Sequence, residues 1–194
     1  DLMATTKKVP AVGEIAFLPV KSMIEIGAFL DWGLDKDLLV PLAEQHRPFE
    51  YEKSYLVHIY LDKVNSRLTA SSKINKFISD FDDNNFEAGQ EVDLIIGGST
   101  DIGYKAIVNN THWGVLYENE VFQRLSFGQS MKGYVKTIRS DGKIDLSLQD
   151  LNRILTIDYE ISEFAKEIDG VGLDFSLSVI LKVITDLKNG VITK

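Results

Sequence analysis

From residue 13 to residue 148 the chain is a series of short alternating or apolar runs broken by Gly, Asp and Asn. That pattern belongs to short strands at close spacing, as in small barrels and sandwiches, and it lacks the 3.6-residue period of long helices. The runs predict strands over Gly13–Val20, Gly27–Trp32, Leu38–Val40, Tyr55–Asp62 and Arg67–Ser71, then over Val92–Ile96, Gly103–Val108, Trp113–Tyr117, Lys132–Ile138 and Lys143–Leu148. Both sets contain five strands, and the acidic cluster of Asp80, Asp82 and Asp83 with Asn84 and Asn85 divides them. Gly97-Gly98-Ser99-Thr100 reads as a turn, because no helix follows it and no Lys-Ser or Lys-Thr closes a phosphate loop.

Beyond about residue 151 the texture becomes helical. Asp158 can cap a helix that puts Ile161, Phe164, Ala165 and Ile168 on one face. Ser176 can cap a second with Leu177, Ile180, Leu181, Ile184 and Leu187 inward, and Gly170 and Gly190 stand where helices end. With the short run Val191-Ile192-Thr193, this order resembles the end of a winged-helix unit. The expected organisation is therefore the tail of a preceding module (1–10), a small barrel domain (11–78), an acidic linker (79–86), a second barrel domain (87–150) and a helical, partial winged-helix piece (151–194).

Internal repetition supports the modules. Tyr55-Leu56-Val57-His58-Ile59-Tyr60-Leu61-Asp62, a turn and Arg67-Leu68-Thr69-Ala70-Ser71-Ser72 parallel Met131–Arg139, the turn Ser140-Asp141-Gly142 and Lys143–Leu148. Leu2-Met3-Ala4-Thr5-Thr6 repeats the same ending a third time, which is why residues 1–10 are read as the end of a truncated module.

The chain has 194 residues, 44% of them hydrophobic, and a net charge of −8. These values describe a globular chain rather than a disordered one. It has no cysteine, which removes disulfides, thiolate metal sites and cysteine nucleophiles together and fits a reducing, cytoplasmic setting. No run approaches the roughly 18 apolar residues of a membrane span, so no membrane partner is expected. The acidic balance opposes polynucleotide binding at face value, since phosphates are met by Lys and Arg. The opposition is regional, because Lys132, Lys136, Arg139 and Lys143 crowd the second closing hairpin.

Catalytic and metal chemistry find little support. His46, His58 and His112 are scattered with no ligand spacing. Asp31, Asp35 and Asp37 lack the glycine and terminal Glu of a calcium loop, and no nucleophile has a base at a recognisable spacing. The expectation is a non-enzyme without cofactor.

The most informative segment is Gly27-Ala28-Phe29-Leu30-Asp31-Trp32-Gly33-Leu34-Asp35-Lys36-Asp37-Leu38-Leu39-Val40-Pro41, followed by Glu44-Gln45. It resembles the ribosomal protein S-one type RNA-binding domain, a five-stranded OB-fold barrel whose sheet face offers rings to bases and cations to phosphates. Taken with Gly103–Phe122 and Ile138–Gln149, it is similar to the conserved virulence factor B family of bacterial proteins, over about residues 4–149. That family strings S-one type domains ahead of a winged helix. The resemblance implies a mainly β fold of tandem OB barrels with a small C-terminal winged-helix-like piece. It further implies single-stranded RNA, or DNA, as ligand, and a bacterial gene-expression and virulence regulator.

Carried onto this chain, the resemblance gives a candidate RNA-binding set of Phe29, Trp32, Arg67, Tyr104, Lys105, Trp113, Tyr117, Lys132, Lys136, Arg139 and Lys143. Phe29 and Leu30 must point to opposite faces, and alternation leaves open which one faces outward. Trp32 is either a ring for stacking or packing beneath the Leu34 loop. Tyr104 stands at the second-strand aromatic position and Tyr117 where the domain usually has His, while Pro41 replaces that His in the first module. Alternation puts Tyr104 with Ala106 and Lys105 with Ile107 on opposite faces, and it puts Lys132 and Lys136 on one. In the tail, Ser176–Lys188 carries only Lys182 and Lys188 as cations, which suits a protein partner or bracing better than groove insertion. The rival reading is a protein-interaction scaffold whose barrels have lost most RNA contacts.

Overall fold

The computed structural model describes residues 9–64, 66–82 and 85–150, together with 156 and 159. The helices and winged-helix piece expected over 151–194, with their caps Asp158 and Ser176, lie outside the described residues apart from 156 and 159, and so does the tail expected over 1–10 apart from its last two residues. Among the described residues no helix is long and apolar enough to cross a membrane.

The first barrel is built from β1 (Ile15–Ile24), β2 (Gly27–Leu30), β3 (Leu38–Pro41), β4 (Ser54–Leu61) and β5 (Leu68–Ser71). The second repeats it with β6 (Glu91–Thr100), β7 (Gly103–Val108), β8 (His112–Tyr117), β9 (Ser130–Ile138) and β10 (Ile144–Ser147). Both sheets close in the order first-second-third-fifth-fourth, with a parallel third–fifth pair, Leu39 opposite Thr69 and Ile144 opposite Gly114. A five-stranded closed Greek-key barrel of this order is the OB-fold.

Closure depends on one long strand serving two partners. β1 pairs with β4 over Ile15–Pro19 and with β2 over Val20–Ile24, bending at a bulge between Val20 and Ser22. β6 does the same against β9 and β7, bending between Ile96 and Gly98. A bulge adds bend and twist to a strand, which lets it turn the barrel corner. This is why the glycine run Gly97-Gly98-Ser99-Thr100 is strand rather than turn: flexible residues carry β6 around the corner, and the reversal comes at Asp101-Ile102. Gly27 and Gly103, which open the second strand of each barrel, are needed sterically. A Cβ there would lie 2.3 Å from the Val40 carbonyl oxygen or 2.1 Å from that of Leu116, and Gly103 also has φ +147°.

Alternation fills each interior. Leu18, Val20, Ala28, Leu30, Val40, Val57 and Ile59 pack inside the first barrel, and Val92, Leu94, Ile96, Ala106, Leu116, Val135 and Leu146 inside the second. A third apolar cluster joins the barrels. Ile15 and Leu56 of the first meet Ile107 of the second across Ile74 and Ile78, with Ile95 and Trp113 at the margin. Phe17 meets Phe127 edge-on at 5.4 Å, and the Ile15 N–H donates to Asn110 at 2.9 Å. The acidic stretch is not a free spacer at its start. Ser79 lies parallel to the beginning of β8, exchanging backbone hydrogen bonds with Thr111 and Trp113, and the Asp82 N–H donates to the Gly142 carbonyl at 2.8 Å. Backbone groups beside an unfilled sheet edge take the nearest chain that can pair with them.

Candidate nucleic-acid interface

In the first barrel the flanking residues Ala28 and Leu30 are both buried in the core, so Phe29 is the side chain of β2 that points outward, where it remains half-buried. Trp32 does not join it. The indole is 9% exposed and lies in the barrel core, and its N–H donates to the Lys36 carbonyl at 2.6 Å, so the ring fastens the Asp31–Asp37 loop from beneath. Its placement as a base-stacking residue is therefore corrected. The sequence Leu30-Asp31-Trp32 leaves the strand before Trp32, and the ring is free to turn back under the loop. Arg67 is exposed at the β4–β5 turn, and its carbonyl accepts the Asp62 N–H at 2.9 Å.

The second barrel gathers more. Register places Lys105 of β7, Val115 of β8 and Asp145 of β10 in one row across the outer face, with Trp113 and Tyr117 on either side of Val115. Inward neighbours Gly114, Leu116, Ile144 and Leu146 are buried, which fixes this polarity. Tyr104, by the same alternation, turns inward beside Ala106 and packs against the barrel core, so it is no open platform. The second-strand aromatic position points in here, where the ring stays partly exposed, and Lys105 takes the outward place. Lys105, Trp113, Arg139 and Lys143 line one shallow depression of about 250 Å³, into which Asp80 also reaches.

Every cation of this surface is held by a carboxylate. Lys105 lies 4.3 Å from the Trp113 ring centre and pairs with Asp80 at 3.2 Å. Arg139 clasps Asp145 through Nε at 3.0 Å and Nη2 at 2.8 Å, and its guanidinium also donates to the Tyr117 hydroxyl. That hydroxyl is 3.2 Å from Asp145 Oδ1, which closes a three-residue network. Lys143 pairs with Asp141 at 3.3 Å, and the hydrogen bond from the Lys143 backbone N–H, with the ammonium behind it, holds the Asp141 carboxyl below the usual carboxylate range.

Lys132 and Lys136 belong elsewhere. They share the outer face of β9, between β6 and β10, and neither lines the depression. Lys132 bridges Asp93 at 3.0 Å and Glu91 at 3.4 Å, and hydrogen bonds to Asp93 and Glu91 raise its pKa above the ordinary lysine value. Lys136 pairs with Glu120 at 2.5 Å. Even spacing put the two lysines on one face, but the cross-strand carboxylates had no signature in the hairpin itself. Exposed pairs of this kind are worth about 0–1 kcal/mol, so a phosphate can replace the carboxylate at modest cost.

Sequence reasoning missed a second cluster, because it forms only where the barrels meet. A cavity of about 700 Å³ is bordered by Arg47, Tyr55, Lys73, Lys76, Trp113 and Phe127 among others. Asp80 was missed as a member of the outer face for a similar reason, having been read as linker. Among the described residues no group of three His, Asp or Glu side chains comes together to hold a metal ion.

No family model matches the chain, and no curated protein matches it. Among solved structures, the chain is similar to a multidomain protein with nucleic acid binding domains from Streptococcus pneumoniae. The two share 18% identity at a TM-score of 0.41, with 97% of this chain and 76% of that one covered. The OB-fold assignment stands on strand order and register, independently of that likeness.

Proposed function

We propose that this chain is a non-enzymatic, cytoplasmic protein that binds single-stranded RNA weakly and with little sequence preference, as a bacterial gene-expression regulator of the virulence factor B type. The single observation that supports this reading best is the outer face of β7, β8 and β10, where Trp113, Tyr117, Lys105, Arg139 and Lys143 stand together on one wall of an OB barrel. That wall is where OB-folds take oligonucleotides. A base stacked on an exposed ring contributes about 1–3 kcal/mol whatever its identity, which gives affinity without a code. Phosphates would replace Asp80, Asp141 and Asp145 on their cations, so the expected binding is weak and salt-sensitive. The S-one type identity of both modules, and a partner-contacting winged helix over 151–194, belong to the same proposal.

The test is fluorescence anisotropy of a labelled 12-nucleotide oligo(U), alongside duplex DNA, at rising salt. Single strands should bind at low salt and lose affinity as salt rises, and Tyr117→Ala combined with Lys143→Glu should weaken them about tenfold. Absence of binding at low salt, or indifference to that pair, overturns the proposal. RNA incubated with the protein and Mg²⁺ should remain uncut. One observation favours the scaffold reading instead: the carboxylate on every cation of the face. A partner protein would then bind while oligo(U) does not.

A further inference from the structure

The groove between the barrels differs in kind from the outer face of the second barrel. No carboxylate lines it, although the chain as a whole carries a net charge of −8. Among the described residues no carboxylate forms a direct ion pair with Arg47 or Lys73, although, against the burial of the Glu44 carboxyl, hydrogen bonds from Ser71 and Lys76 hold it below its ordinary value and the Lys73 charge is near enough to help. The Arg47 guanidinium lies 5.6 Å from the Tyr55 ring centre, and the Lys73 ammonium donates to the neutral Ala43 carbonyl at 2.6 Å. Lys76, by contrast, is held by both oxygens of Glu44 at 3.0 and 3.1 Å. Rings border the cations: Phe127 is 49% exposed, and Trp113 is half-buried. The volume, about 700 Å³, is in the range of small-ligand sites.

The walls are fixed in place. Trp113 donates its indole N–H to Asn75 at 3.0 Å and its six-membered ring packs against Gly97, where a Cβ would come within 2.5 Å of it. The loop carrying Arg47 is tied down by the His46 N–H donating to Ser72 Oγ at 2.7 Å. The apolar cluster of Ile15, Leu56, Ile74, Ile78 and Ile107 fuses the barrels beneath the groove. A preformed site needs little ordering when its ligand arrives.

We propose that this inter-barrel groove is a binding site for a single-stranded polynucleotide, with Arg47 and Lys73 taking backbone phosphates and Phe127 and Trp113 taking bases. Trp113 also lines the depression of the second barrel, so one strand passes from that face across the indole and into the groove. The continuity rests on the reading of that face given above, whereas the groove's own charge and rings do not. Unpaired cations select an anion, the rings select flat bases, and two adjoining sites that share one ring select a polymer over a mononucleotide.

The experiment measures anisotropy of fluorescein-labelled 12-nucleotide oligo(U) and oligo(dT) on the full chain. Variants are Arg47→Glu/Lys73→Glu, the milder Arg47→Gln/Lys73→Gln, and Lys36→Glu/Lys63→Glu as a charge-matched control on exposed loops. Urea midpoints confirm that each is folded, and the Gln pair carries the test if the Glu pair is not. The groove pair should weaken binding at least about tenfold and flatten the log–log salt slope by about 1.4, the share of two phosphate contacts on a single strand. The control pair should do much less. Groove variants that bind like the control overturn the inference, and if Tyr117→Ala/Lys143→Glu then still loses binding, the reading of the outer face survives alone. Loss through the groove pair with no effect of Tyr117→Ala/Lys143→Glu supports the groove and removes the outer face. Displacement of the probe by UMP at concentrations that oligo(U) needs, or by polyglutamate as effectively as by oligo(U), assigns another occupant and overturns the polynucleotide.

Discussion

Asp80 offers a direct test of the outer face, because removing it should improve binding. Its carboxylate is 3.2 Å from the Lys105 ammonium, and the two side chains are 57% and 37% exposed. At that distance the attraction in a water-like dielectric is about 1.3 kcal/mol, and screening with side-chain ordering reduces an exposed pair to about 0.2–1 kcal/mol. A phosphate drawn to Lys105 must overcome that pairing and then remain near the displaced carboxylate, which adds about 0.3 kcal/mol of screened repulsion. Asp80→Asn abolishes both effects and keeps the side-chain shape. The gain should be about 0.5–1 kcal/mol, or roughly two- to fivefold tighter oligo(U) binding at low salt. The freed lysine should also steepen the log–log salt slope by up to about 0.7, so that a fourfold rise in salt costs the variant about 2.6-fold more affinity than it costs the parent. Anisotropy titrations of both proteins from 50 to 200 mM salt, a span over which about half to most of the surface field is screened, measure both quantities. If the parent binds and Asp80→Asn changes neither affinity nor slope, Lys105 is outside the binding surface and the argument from the β7–β8–β10 wall fails. A weakened variant would fail it more severely, since Asp80 would then be holding the site together rather than competing for it.

Two further outcomes follow from the first barrel. Trp32→Ala should lower unfolding free energy by about 3–5 kcal/mol in urea titration, because it empties a buried indole from the core; an unchanged midpoint would return Trp32 to the surface. His58 is stacked on Phe77 at 4.0 Å, its Nδ1 is buried without a hydrogen-bond partner, and burial lowers its pKa against an opposing hydrogen bond to the Gly13 backbone. The folded state therefore favours the neutral ring, and the unfolded chain takes up a proton first as pH falls. Stability from this group is complete above the ordinary histidine value of 6.5 and is lost as pH falls through the lower folded value. His58→Phe keeps the stack and should flatten the pH dependence that sets in as pH falls below the ordinary histidine value, so parallel stability curves for the two proteins would refute the placement.

Much of the fold was readable along the chain because an OB barrel is assembled from period-two alternation. One face of every strand must be apolar, and Leu18-Pro19-Val20, Leu30, Val40 and Val57-His58-Ile59 announce that face without any partner being known. The glycines at 27 and 103 were equally visible, though the carbonyls that forbid a side chain there belong to other strands. Strand ends were less legible. β1 runs on past Val20 and β6 past Ile96 because bulges let each strand change partners, and a bulge is defined by the neighbouring strand.

The candidate site divides in the same way. Sequence by itself determined that Lys105 opposes Tyr104, that Tyr117 shares a face with Trp113, and that cations gather at the closing hairpin, since all three follow from local spacing. Only tertiary structure decided that Trp32 turns back into the first barrel once the chain leaves its strand after Leu30, and that Tyr104 packs partly buried against the core of the second. Only tertiary structure paired each lysine with its carboxylate, for Asp80, Asp93 and Glu120 reach Lys105, Lys132 and Lys136 across strands and loops. The groove is the extreme case. Arg47, Lys73 and Trp113 have no common period and no shared motif, and they meet because Ile15, Leu56 and Ile107 exclude water between two barrels and bring their rims together. Periodicity is a property of one strand and survives in the sequence, whereas a site made by apolar contact between barrels exists only after both have closed.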